Sequence, residues 1–80
     1  MKKVRLNELR YEKIVNAVSQ MKPRSVVDFG SGEGKLSVQL GFVEGITEIL
    51  AVEPSESASL KALERFNTVK NKEKFVMPEL

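Results

Sequence analysis

Eighty residues make one small domain with a thin core, because a chain of this size buries only roughly 60–65% of its unfolded surface. The net charge of +2, from 13 Lys+Arg against 11 Asp+Glu, is too small to argue a nucleic-acid surface by itself. With neither cysteine nor histidine, the chain can supply no disulfide, no thiolate or imidazole metal ligand and no histidine base. No apolar run approaches the ~20 residues of a membrane span, and "MKKVRLNELR" lacks the apolar centre of a signal peptide. A cytoplasmic protein with no membrane partner is expected.

The first element reads as a helix from about Asn7 to Gln20, with Tyr11, Ile14, Val15 and Val18 on one face. Asn7 is placed to cap it, Leu6 and Tyr11 to form a hydrophobic staple, and Pro23 to stop it. "SVVDF", Ser25 to Phe29, is a short buried strand. Leu36, Leu40 and Val43 define the apolar side of a second helix ending near Gly41–Gly45. Thr47 to Glu53 is the second strand, broken by Pro54. Ser55 or Ser57 can cap a third helix carrying Ala62, Leu63 and Phe66 on one face. "KFVM", Lys74 to Met77, reads as a third strand.

The order is an N-terminal helix followed by βαβαβ. Alternation at these lengths implies an α/β fold with parallel strands joined by right-handed crossovers, in the order 3-2-1. Strands apolar on both faces predict a three-layer, partial Rossmann-like unit with helices on either side. In that order "SVVDF" lies at the edge, although its composition suits a central strand. A bare apolar edge invites pairing. Residues 1–80 are therefore expected to be a single, truncated half-domain, one that self-associates through this edge, or one whose leading segment covers it.

The chemistry is concentrated in "VVDFGSGEGKLS", residues 26–37. A P-loop needs four residues between its glycines and a hydroxyl residue after the lysine. Gly30 and Gly34 enclose three residues, and Lys35 is followed by Leu36. The dinucleotide pattern G-x-G-x-x-G fits at Gly30 and Gly32 but meets Lys35 where the third glycine belongs. Asp28 and Glu33 would also repel a pyrophosphate, offsetting the pull of a helix N-terminus. A ligand with positive charge and no phosphate suits them better, and S-adenosyl-L-methionine is one. Gly30 and Gly32 leave room for its methionyl part, Asp28 can organise the loop or meet its amino group directly or through water, and amides near Gly34 and Lys35 can meet its carboxylate. Glu53, 19 residues after Gly34, ends the second strand where an acid accepts bonds from ribose hydroxyls.

"VVDFGSGEG" followed by "ILAVEPS" resembles motif I and the acidic motif of class I S-adenosylmethionine-dependent methyltransferases. The resemblance implies a cofactor site of Asp28, Gly30, Ser31, Gly32, Glu33, Gly34, Glu53, Pro54 and Ser55, with Ser55 and Glu56 near the adenine. More narrowly, "RLNELRYEKIV", "VVDFGSGEGKL", "GITEILAVEPS" and "LKALERF" look like bacterial 3′-terminal RNA ribose 2′-O-methyltransferases, relatives of the plant small-RNA methyltransferases. That resemblance implies RNA as a partner and a divalent metal, Mn or Mg, held by two Glu and two His. Those ligands lie well past the acidic motif, beyond this chain, which therefore carries no catalytic residue and no metal ligand of its own. A methyltransferase for a small molecule or protein, and a non-catalytic methyltransferase-like fragment, are the alternative readings. A dehydrogenase fits less well, for the spacing and charge reasons above.

Overall fold

A computed structural model describes the backbone of residues 2–80 and the side chains from residue 8 onward. Helix α1 runs Lys2–Met21, strand β1 Ser25–Phe29, helix α2 Lys35–Leu40, strand β2 Glu48–Val52 and helix α3 Glu56–Val69. Helix α1 starts well before Asn7, so Asn7 is helical backbone and not the N-cap. "KKVRL" continues the helix because it holds no breaker and several good helix formers. The side chains of Leu6 and Asn7, and with them the expected staple, lie outside the described residues. The helix ends before Pro23, with Lys22 turned to φ 52.

Strands β1 and β2 pair in parallel, with Ser25 opposite Glu48, Asp28 opposite Ala51 and Phe29 opposite Val52. The crossover between them is α2, which is short because Gly41 and Gly45 interrupt the pattern that Val43 seemed to continue. Val43 still packs on the core from the following turn. That core joins Leu40, Ile46 and Ile49 to the half-buried Val15, Val18, Val26, Leu36 and Val76. Ala62 and Phe66, one helical turn apart on α3, are fully buried, whereas Leu63 is exposed and does not share their face.

The third strand is displaced from its expected place. Lys74 takes φ 68, and Phe75 stacks against Phe42 with ring centroids 4.9 Å apart. Val76 donates its N–H to the Gly41 carbonyl, so "KFVM" covers the end of α2 and does not extend the sheet. Pairing with β2 comes later, as a single parallel bridge between Leu50 and Glu79. The Glu79 N–H reaches the Ile49 carbonyl at 2.8 Å, and the Ala51 N–H reaches the Glu79 carbonyl at 2.7 Å. The regular sheet therefore has two strands, and a third of the order 3-2-1 is not formed.

The layering also differs from expectation. One sheet face, with Val26, Ile49 and Ala51, packs inward. On the other, Val27, Phe29 and Leu50 stand 49%, 79% and 43% exposed. Among the described residues no helix covers that face, so the unit has two layers. The leading segment is helical and does not pair with the free edge of β1.

Candidate cofactor site

The glycine loop begins where β1 ends and immediately turns over the end of β2. The N–H groups of Gly30 and Ser31 both donate to the Val52 carbonyl, at 2.7 and 3.0 Å. The Gly34 N–H donates to the Ser31 carbonyl at 3.0 Å, closing a turn that launches α2. Gly34 sits at φ 82, and a Cβ there would lie 2.7 Å from the Phe66 ring and 3.0 Å from the Ala62 Cβ. This glycine is required by the close approach of α3. Gly30 and Gly32 differ, since a Cβ at either would meet nothing within 4 Å. Their side of the loop is open.

Glu53 holds the loop from the neighbouring strand end. Its Oε1 accepts the Gly32 N–H at 2.8 Å, and its Oε2 accepts the Ser55 N–H at 2.9 Å. Ser55 in turn caps α3 through its hydroxyl, which accepts from the Ala58 N–H at 3.3 Å. The Ser59 hydroxyl donates to the Glu53 carbonyl. Glu53, Pro54 and Ser55 thus form one hydrogen-bonded junction beside Gly32, with Pro54 exposed. Each carboxylate oxygen keeps a second lone pair for a ligand hydroxyl.

Asp28 lies behind the loop. Its Oδ2 accepts the Ser37 hydroxyl at 2.7 Å, and Ser37 is completely buried in α2. Ser31, between the two open glycines, is buried, and its hydroxyl finds no partner among the described residues. Glu33 points elsewhere. Its carboxylate faces Lys61 and Arg65 of α3 at 3.7 Å each, and the Arg65 Nε–H donates to the Glu33 carbonyl at 3.0 Å. Glu33 ties the loop to α3, and the carboxylate bonded directly at the open glycines is that of Glu53.

The hydrogen bonds also sharpen the case against phosphate. A phosphate cradle presents converging free N–H groups. Here the amides of Gly30, Ser31, Gly32 and Gly34 are all used within the protein. The Gly34 amide, expected to meet a ligand carboxylate, is among them. A separate cleft of about 480 Å³ lies between the helices, where Glu8, Tyr11, Lys35 and Arg65 line it with mixed charge. It borders the α3 side of the loop through Lys35 and Arg65, and none of Asp28, Gly30, Gly32 or Glu53 lines it.

No family model matches the chain, and no curated protein matches it. Solved structures do. The methyltransferase domain of bacterial CtHen1-C superposes with a TM-score of 0.75 at 26% identity, over 91% of this chain and 39% of that one. A second structure, of the corresponding domain of bacterial CtHen1-CN, gives the same figures. The chain resembles a methyltransferase domain. It spans about two fifths of the length of the methyltransferase chains that it matches.

Against this methyltransferase likeness, the predicted residues fall into two groups. Asp28, Gly30, Ser31, Gly32, Glu53, Pro54 and Ser55 gather at the ends of β1 and β2, while Glu33 and Gly34 face α3. Ser37 escaped the sequence reading. The available signal was a hydroxyl on the same helical face as Leu40 and Gly41, where an apolar side chain would be ordinary. Among the described residues no helix is long and apolar enough to cross a membrane, and no cluster of three or more acidic residues could hold a metal.

Proposed function

We propose that the chain is the donor-binding part of an S-adenosylmethionine-dependent methyltransferase, acting within a longer cytoplasmic parent on the 2′-hydroxyl of a 3′-terminal RNA ribose. The observation that carries the donor assignment is the Glu53 carboxylate, fixed against Gly32 at the strand ends with the loop amides already bonded. An acid there selects a diol over a phosphate. The open backbone at Gly30 and Gly32 and the unpartnered Ser31 hydroxyl fit a ligand lying along the loop.

In this reading Glu53 accepts from both ribose hydroxyls, Asp28 faces the ammonium of the methionyl end, and Ser55 and Glu56, following Pro54, border the adenine. Glu33 and Gly34 contribute by fixing the loop to α3. Bound here, S-adenosylmethionine supplies an electrophilic methyl group on a sulfonium. The chain's own residues hold the donor in one orientation, which is a positioning contribution to catalysis. Metal ligands and the acceptor site belong to the parent. The RNA acceptor rests on the sequence words shared with 3′-terminal ribose methyltransferases.

Calorimetric titration tests the donor assignment. Binding of S-adenosylmethionine but not NAD, weakened at least tenfold by Glu53→Ala, is expected; binding of NAD alone, or no effect of the substitution, overturns it. For the acceptor, the parent is expected to methylate RNA with a free 3′-terminal ribose and to leave a 2′-deoxy terminus untouched. Equal transfer to both termini would remove the RNA ribose from the reading.

A further inference from the structure

We infer that Ser37 is a positioning residue of the donor site, setting the orientation in which Asp28 presents its carboxylate to the amino-acid end of the ligand. The inference rests on the assignment of Asp28 to the methionyl side. Ser37 is fully buried on the core face of α2, where a hydroxyl has a desolvation cost unless it is bonded. A helical serine commonly returns its hydroxyl to the carbonyl four residues earlier. For Ser37 that carbonyl belongs to Glu33, and it receives the Arg65 Nε–H instead. The Ser37 hydroxyl turns to Asp28 Oδ2 at 2.7 Å, the length of a strong bond to a charged acceptor.

This bond is the sole hydrogen bond to the Asp28 carboxylate among the described residues. It restrains the rotation of the carboxylate and takes one lone pair of Oδ2, leaving Oδ1 without a protein donor among the described residues and able to accept from a cation. A carboxylate without that anchor would sample several orientations, and binding would have to select one. Ser37 itself, wholly enclosed, touches no ligand. Its action passes through Asp28.

Two double-mutant cycles over Ser37→Ala and Asp28→Ala test this, one on urea unfolding and one on binding. The binding cycle uses S-adenosylmethionine and 5′-methylthioadenosine, which keeps the adenosine but has a neutral thioether in place of the sulfonium and lacks the amino-acid end. S-adenosylhomocysteine, a thioether with the amino-acid end, separates the two differences and is expected to be weakened like S-adenosylmethionine. Ser37→Ala is expected to weaken S-adenosylmethionine about tenfold and to leave methylthioadenosine unchanged within about twofold. In the Asp28→Ala background it is expected to add no further loss. Equal weakening of both ligands, or an undiminished effect without Asp28, would make Ser37 merely structural and overturn the inference. Coupling in unfolding without coupling in binding would do the same. Failure of the wild-type chain to bind either ligand overturns the donor assignment itself, and the inference with it. Should Ser37→Ala not fold, Ser37→Cys, similar in shape but a weak donor, takes its place with the same expected outcomes.

Discussion

At the scale of single residues, the glycines of one loop serve different ends. Gly34 has both a left-handed φ and the Phe66 ring against it, so Gly34→Ala combines backbone strain with a collision. A loss of about 2–4 kcal/mol in urea unfolding is expected. Gly32 has a left-handed φ but open space beyond it, so Gly32→Ala carries only the strain, about 1–2 kcal/mol. Its larger effect is expected on the ligand, with S-adenosylmethionine affinity falling more than tenfold in calorimetry. If Gly32→Ala binds normally, the open side of the loop is not where the ligand lies. Glycine spacing in the sequence located the loop, but only packing distinguishes the glycine that faces α3 from those that face space.

At the scale of elements, α3 is held by its cap, its buried face and its clasp on the loop. Ser55→Ala removes a side-chain bond to Ala58 and is expected to cost about 1 kcal/mol in urea unfolding. Phe66→Ala, at a fully buried site, is expected to cost about 3–5 kcal/mol. Glu33→Gln should cost no more than about 1 kcal/mol, and less in high salt, because its pairs with Lys61 and Arg65 are partly exposed. A much larger loss would give Glu33 a role beyond the clasp.

Helix α3 and both regular strands were legible in the sequence because local patterns specify them, whereas the cap of α3 was left between Ser55 and Ser57 and the structure places it at Ser55. The direction of Glu33 was not, since the cations that attract it lie 28 and 32 positions further along. The Ser37–Asp28 bond was hidden for a related reason: nothing local says which way a buried hydroxyl turns. The third strand was misplaced because Phe75 and Val76 have strand-like side chains, yet their partners are Phe42 and Gly41.

At the scale of the whole molecule, the open sheet face dominates. A compact 9.0 kDa protein exposes about 4,900 Å² on the usual scaling, whereas 6081 Å² is exposed here. Val27, Phe29 and Leu50 lie on the uncovered face beside the free edge of β1. Exposed apolar faces and free strand edges favour pairing with other chains, and self-association through this face is the expectation to test. Phe29→Lys is therefore expected to raise the monomer fraction in sedimentation with little loss of helical circular dichroism. An unchanged sedimentation profile would show that this face does not drive association.

The tail segment sets a limit on how far such association can run. Phe75 to Leu80 is held to the end of α2 by the Val76–Gly41 bond and to β2 by the two bonds of Glu79, which cover the middle of the β2 edge opposite β1. Just before it lie Lys70, Lys72 and Lys74, all exposed. With the β2 edge so covered, edge pairing by this sheet is confined to β1. Tryptic cleavage after Lys74 would sever the tail from α3 and leave three backbone bonds to retain it. Loss of those bonds would leave the β2 edge unpaired as well, and a unit open on both edges has no geometric limit on the copies it can add.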